Sequence, residues 1–369
     1  MTPLRIAVLM NLAPRKLGSF EAWLVALARE ALARGHSLDI FGREPVHPVI
    51  AEQLLSLGVG WKKIAVLESR KLAAVRRLSR DYDVLHINLF GPRNAIPLIA
   101  YAAWPARVLL VMRIAVRDPQ ALPRPFAYRA LDRVTLLRVA SVAAVSNYVR
   151  DQVIDRFKIP FPKARTIYNG IDTERFHPPL PLPNRAGAVR VLAAGNLHAW
   201  KGMDHLFRSV ATLESGDVHL RIAGDGQEEA ALRSLARTLG LEKNVEFLGL
   251  RSDLDELLRE TDIFVHPVVA QEAFGLAVAE AMASGCAIIA SRIGGLPELI
   301  EEGSSGLLVP PGDAGAIAAA LRRLVADRAE RERLGANARR RVVEHFTVSR
   351  CVREHLDWCE EMAHGPGSK

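Results

Sequence analysis

Near the middle of the 369-residue chain, His177-Pro178-Pro179-Leu180-Pro181-Leu182-Pro183 interrupts a regular alternation of strand-like and helix-like segments. Proline fixes φ and lacks a backbone donor, so this stretch sustains neither helix nor sheet pairing and reads as a linker. The same pattern runs on both sides of it. Before the linker, strand-length apolar runs begin at Leu4 and recur near Ser37, Val84, Arg107, Val142 and Arg165, with helical stretches between several of them. After it, they recur near Val189, Val218, Val245, Ile263, Ala287 and Gly306. Such alternation predicts parallel sheets covered by helices, here as two doubly wound α/β domains facing across a cleft. Their expected limits are residues 1–176 and 177–345. Ser252, three positions before Asp255, predicts a capping box at one of the later helices.

With 49% hydrophobic and 24% charged residues, the chain belongs to the soluble globular class. Of its three cysteines, Cys351 and Cys359 fall on one predicted helix, about 12 Å apart and too far for a disulfide. No CxxC pattern or zinc-like His/Cys spacing occurs. The longest apolar stretch, from Ala95 to Met112, contains Pro97, Pro105 and Arg107 and does not read as a membrane span. A cytoplasmic chain is expected, or one peripheral on the inner face of the cytoplasmic membrane. Residues 1–180 carry 27 Lys+Arg against 14 Asp+Glu, and the remainder 22 against 27. This asymmetry points the first half toward something anionic, such as a membrane surface met through the Arg70–Arg80 and Arg117–Arg138 stretches, or a phosphorylated acceptor. Solvated helix faces account for the stretches almost as well.

Chemistry concentrates in Gln271-Glu272-Ala273-Phe274-Gly275-Leu276-Ala277-Val278-Ala279-Glu280. Glu272 precedes a helix and Glu280 lies two turns inside it, among small and apolar residues where a carboxylate is costly unless hydrogen-bonded. Phe274-Gly275-Leu276 opens that helix, whose first N–H groups suit an anion. Lys201, between Gly195 and Gly202 after a strand, supplies a cation where a parallel sheet presents its ligand edge. Common nucleotide signatures are excluded. Glu229 stands where Gly224-Asp225-Gly226 would need a third small residue, and Trp200-Lys201-Gly202 does not end a P-loop. Asp81-Tyr82-Asp83 and Asp253-Leu254-Asp255 read more simply as a turn and a helix start than as metal pairs. One cation, one helix start and two acids fit a nucleoside diphosphate sugar, with Glu280 toward the ribose, Glu272 toward the sugar, and no metal required.

These residues, together with Gly18-Ser19-Phe20-Glu21, Tyr168-Asn169-Gly170-Ile171-Asp172 and Gly294-Gly295-Leu296-Pro297-Glu298, give the chain a clear resemblance to the retaining glycosyltransferases of family four. The resemblance spans essentially the whole chain and implies the two-Rossmann-domain (GT-B) fold. It implies that Gly18 lets the first loop approach the donor diphosphate, that Lys201 binds it, and that Gly249-Leu250-Arg251 frames the base. Glu272, Ala273, Phe274, Gly275 and Leu276 would hold the donor sugar and phosphates, and Glu280 the ribose, with Glu272 and Lys201 the catalytic pair. The last helix, about 346–363, would cross back to the first domain.

Three positions depart from the family pattern. Asn196 stands where a diphosphate-binding Arg is expected, Arg113 where many members place a His touching the donor sugar, and Asn88 where a second His often follows His86. The readings for His86 and Arg113 are an acceptor-side or donor-sugar role, against a core histidine and a buried ion pair respectively. The expected reaction moves a sugar with retention from a nucleotide donor to an acceptor hydroxyl of a lipid-linked or cell-envelope glycan. No cofactor and no nucleic-acid partner are expected. The rival readings are a non-catalytic sugar- or lipid-binding protein and a nucleotide-sugar epimerase or phosphorylase.

Overall fold

The computed structural model describes residues 2–10, 13–14, 18–63, 72–89, 106–115, 139–179, 187–214 and 216–364. Two compact units divide it, one formed by Met1–Gly170 with Val348–Lys369, the other by Ile171–Thr347.

Among the described residues unit 1 has seven strands: β1 (Arg5–Met10), β2 (Ser37–Gly42), β3 (Trp61–Lys63), β4 (Val84–Leu89), β5 (Arg107–Met112), β6 (Ser141–Ala144) and β7 (Ala164–Thr166). They pair in the order β3-β2-β1-β4-β5-β6-β7, every pair parallel. Ile6 to Met10 are buried without alternation, as expected of a strand covered on both faces. The helix Ser19–Ala33 buries Trp23, Leu27 and Ala31 at four-residue spacing, one stripe of an amphipathic helix. The last helix, Val348–His364, packs against it and places Cys351, Val352, Leu356, Trp358 and Cys359 in the same core. Polar contacts fix that docking. His36 Nε2 lies 2.9 Å from Glu360 Oε1, Arg34 Nη1 donates to Asp357 at 2.6 Å, and Arg165 forks onto Glu361. Both cysteines on this helix are free and buried.

Unit 2 contains β8 (Val189–Ala194), β9 (Val218–Ala223), β10 (Val245–Gly249), β11 (Ile263–His266), β12 (Ala287–Ser291) and β13 (Leu307–Val309). Their order is β10-β9-β8-β11-β12-β13, again all parallel. In each sheet the order reverses once, between β1 and β4 in unit 1 and between β8 and β11 in unit 2. Such a reversal opens a crevice at the strands' carboxyl ends, where α/β sheets bind ligands.

Two expectations change. The chain enters unit 2 at Ile171 rather than at residue 177, because Ile171 N–H donates to Phe346 O and Phe176 is buried. Arg339 Nη1 also ties the Phe176 carbonyl to that of Ala283 at 2.6 Å each. The capping box at Ser252 does not form. Helix Leu254–Arg259 is capped at Asp253 without a side-chain bond, and Asp255 is taken by Arg175 at 2.7 Å. The edge strand β3 was not anticipated, since Trp61-Lys62-Lys63 is short and polar.

The Arg117–Arg138 stretch and the beginning of Arg70–Arg80 lie outside the described residues. Arg76, Arg77 and Arg80 are exposed on the helix Leu72–Asp81. No helix among the described residues is long and apolar enough to cross a membrane.

Candidate functional site

The reversal point of unit 2 brings together the loops that follow β8 and β11. The first turns at Gly195, forms a short 3-10 turn over Ala199–Lys201 and enters the helix Met203–Val210. The second runs from His266 to Gly275 and enters the helix Leu276–Ala283. Val269 N–H donates to Trp200 O at 2.9 Å, so backbone joins the loops before side chains do. Lys201 Nζ then donates to Glu272 Oε2 at 3.0 Å and lies 4.1 Å from the Trp200 ring centre. His266 Nε2 stands 3.3 Å from the same carboxylate oxygen.

Electrostatics set the protonation of this cluster. Burial raises the Glu272 carboxyl, but the His266 hydrogen bond and the Lys201 charge outweigh it and hold the group at about 2. Burial lowers the His266 imidazole. The consistent state at neutral pH is a carboxylate accepting from Lys201 and from the N–H of a neutral His266.

Backbone geometry fixes where Glu272 sits. Gly295 N–H donates to Glu272 O at 2.9 Å. A Cβ on Gly294, whose φ is +63°, would lie 2.1 Å from that oxygen. Gly275 has φ +94°, and a Cβ there would meet Leu296 at 2.6 Å. It turns the chain into the helix with no side-chain cap, leaving the first N–H groups of Leu276–Ala283 without one. Phe274 is buried against Phe346, while Ala273 and Leu276 are half-buried. Glu280 is 7% exposed on this helix.

Other expected residues lie differently. Asn196 is exposed just after β8. Arg251 is exposed and pairs with Asp253, with Nε to Oδ1 at 2.8 Å. Gly18 is half-buried at the start of Ser19–Ala33 with extended backbone, φ −145°, which any residue adopts.

Unit 1 holds a second polar cluster near its own reversal point. Arg113, just past β5, donates from Nε to Asn88 Oδ1 at 3.0 Å and from Nη1 to Asn169 Oδ1 at 2.6 Å. Its guanidinium lies 4.3 Å from the Trp23 ring centre and 5.0 Å from that of Phe20. Asn88 Nδ2 is 3.0 Å from His86 Nδ1, and His86 Nε2 is 3.1 Å from His355 Nδ1. The polarity of this chain is set from one end. An arginine only donates, so Asn88 must turn its oxygen to Arg113 and its NH2 to His86. His86 therefore accepts at Nδ1 and donates from Nε2 to His355. Burial, then the Arg113 charge, lowers His86 to about 3, and burial also lowers His355.

His86 is fully buried with both ring nitrogens engaged, so direct contact with a sugar does not fit it. The core-histidine reading does. Among the described residues the buried ion pair read for Arg113 does not appear, and both hydrogen-bond acceptors are amides. His266, His355, Asn169 and Gly294 are participants that sequence reasoning did not single out as such. His266 carried one signal, a polar residue at a strand's carboxyl end six positions before Glu272. Among the described residues no group of three His, Cys, Asp or Glu side chains is arranged to hold a metal ion.

The model of the family "Glycosyl transferases group 1" matches residues 181–341, and that of "Glycosyltransferase Family 4" matches residues 21–175. Over an alignment of 376 positions the chain is 30% identical to the D-inositol 3-phosphate glycosyltransferase of Corynebacterium glutamicum strain R, covering 89% of this chain and 87% of that protein. The crystal structure of Anabaena HepE with UDP is similar at a TM-score of 0.81 and 21% identity, over 97% of this chain and 100% of that one. The same protein with UDP-glucose gives a TM-score of 0.76 at 22% identity, over 96% and 100%. At that identity the likeness is one of fold, the two-domain GT-B architecture.

Proposed function

The chain belongs to family four of the glycosyltransferases, the group 1 type, and from that membership we propose that it moves a sugar with retention from a nucleoside diphosphate donor to an acceptor hydroxyl. The observation that carries this reading is the Lys201–Glu272–His266 cluster at the reversal point of the unit 2 sheet.

Lys201, Glu272 and the helix that follows each have a task in such a reaction. Breaking the bond between sugar and diphosphate places negative charge on the leaving phosphate. A cation already fixed at the site stabilises that charge without reorganising as it develops. Lys201 is fixed in this way by Glu272 and by the Trp200 ring. The opening N–H groups of Leu276–Ala283 supply a second, uncharged set of donors for phosphate oxygens. Glu272, ionised at any physiological pH, accepts from sugar hydroxyls, and Glu280 accepts from the ribose. With these groups in place the reaction needs no metal, so transfer rates should be unchanged by a chelator.

The envelope-glycan role and the peripheral location rest on charge. The excess of Lys and Arg in residues 1–180 suits an anionic membrane face that presents a lipid-linked acceptor. A polyol phosphate, as in the name of the Corynebacterium relative, is an acceptor of the same hydroxyl class.

The test is calorimetric titration of a panel of nucleotides and nucleotide sugars, followed by transfer assays and NMR of the product's anomeric proton. Saturable binding of one activated sugar, lost in Lys201→Gln, with product of the donor's configuration is the expected result. Product of inverted configuration, or no binding by any activated sugar, would overturn it.

A further inference from the structure

Arg113 is a cation held on several sides by neutral groups. Its acceptors, Asn88 Oδ1 and Asn169 Oδ1, are neutral amide oxygens, and its floor is the Trp23 and Phe20 rings. Among the described residues no carboxylate pairs with it, whereas Lys201 in unit 2 has Glu272. The third nitrogen, Nη2, is buried without a hydrogen-bond partner. A desolvated guanidinium with an unused N–H is unfavourable until an acceptor, best a charged one, arrives.

The surroundings make this a built arrangement. Asn88 is fully buried at the end of β4 and cannot swing away, because its NH2 is held by the His86–His355 chain. Trp23 and Phe20 come from the helix that follows β1, so Arg113 is gripped by elements on both sides of the unit 1 reversal point. Of the guanidinium's five N–H donors, one on Nε and one on Nη1 are committed, and both on Nη2 remain to donate.

We propose that Arg113 is a specificity-determining residue of unit 1 that holds an oxyanion of the substrate, phosphate or carboxylate in type, through Nη2. This deepens the transfer reaction proposed above and rests on it in one respect: the anion belongs to one of its two substrates. Two sources share the chemistry, the donor's diphosphate and an anionic group on the acceptor.

The experiment compares wild type, Arg113→Gln and Asn88→Asp, titrated with inorganic phosphate, UDP and GDP and followed by calorimetry and thermal unfolding. Asn88→Asp leaves Arg113 in place but gives it an internal counter-ion. It therefore decides the matter if Arg113→Gln does not fold. A tenfold or greater weakening of phosphate binding with nucleotide binding unchanged assigns the anion to the acceptor. A tenfold or greater rise in the nucleotide Kd assigns it to the donor. Folded variants that bind phosphate and both nucleotides as wild type does overturn the proposal. Absence of nucleotide binding by wild type would instead count against the donor-site reading, and the phosphate titration would still judge Arg113.

Discussion

Lys201 and Arg113 are both cations placed just beyond the carboxyl end of a parallel strand, near a reversal of sheet order, and both lie on aromatic rings. They differ in their partners. Lys201 faces a carboxylate at 3.0 Å, so its charge is locally balanced, while Arg113 faces two amide oxygens. A balanced cation is held in place at little electrostatic cost and yields to a stronger anion by exchanging one partner for another. An unbalanced one is held by neutral hydrogen-bond acceptors and ring faces and gains a counter-charge outright when an anion binds. The same local geometry therefore gives two kinds of readiness, and each breaks differently on substitution.

The largest effect is expected where the balance is destroyed. In Lys201→Gln, Glu272 keeps its His266 contact but loses its cation, and the site becomes an unbalanced acid, the mirror image of Arg113. Turnover should fall by roughly 10²–10³-fold, the loss typical of one charge-stabilising group at a reacting centre. Initial rates at saturating donor would check this. A change of less than tenfold would mean that Lys201 is a structural partner of Glu272 only.

Next is the pH dependence that the balanced pair confers. Glu272 lies at about 2 when folded against an ordinary 4.5, so the unfolded chain binds its proton first as pH falls. The stabilisation is thus fully present above about pH 4.5 and is lost as pH falls toward 2. It amounts to on the order of 3 kcal/mol. Denaturant unfolding of wild type and Glu272→Gln at pH 6 and pH 3 should show the two converging at the lower pH. Parallel curves would place the pair's contribution elsewhere.

How far these two regions were legible from sequence follows from their construction. Strands buried on both faces are continuous apolar runs, so β8, β9, β11 and β5 were expected where they begin. β3, three residues with two lysines, carried no such signal. The unit 2 site was legible because its two acids and its glycines are packed into short blocks of sequence. The unit 1 cluster was not, since His86 meets His355 across 269 positions and Arg113 meets Asn169 across 56. No local pattern distinguishes such a histidine from any other at a strand end. The Ser252–Asp255 spacing misled for a related reason: Arg175, 80 positions away, claims Asp255.

A smaller effect is expected from the backbone that holds Glu272. Gly294→Ala places a methyl against Glu272 O and forces φ of +63° on a residue with a side chain, at a cost of about 1–2 kcal/mol before the clash is relieved. Relief moves the Glu272 loop, so donor KM should rise while far-ultraviolet dichroism stays unchanged. If melting temperature and KM both match wild type, the ion pair alone positions Glu272 and the Gly-Gly block is incidental to it.

The smallest effect isolates what an ion pair contributes when nothing else surrounds it. Arg251 and Asp253 form a close pair in unit 2, yet both side chains are about a third exposed. Water already solvates each partner there, and salt screens their attraction. The family resemblance assigns base contacts at this turn to the backbone of Gly249–Arg251 rather than to the guanidinium. Arg251→Ala should therefore leave donor KM within about twofold of wild type. Lys201 and Arg251 would then differ widely in consequence although each pairs with a carboxylate at hydrogen-bond distance. Burial, aromatic backing and a place at the sheet reversal would account for the difference. A tenfold rise in KM for Arg251→Ala would instead bring that side chain into donor binding and make exposure a poor guide to function in this unit.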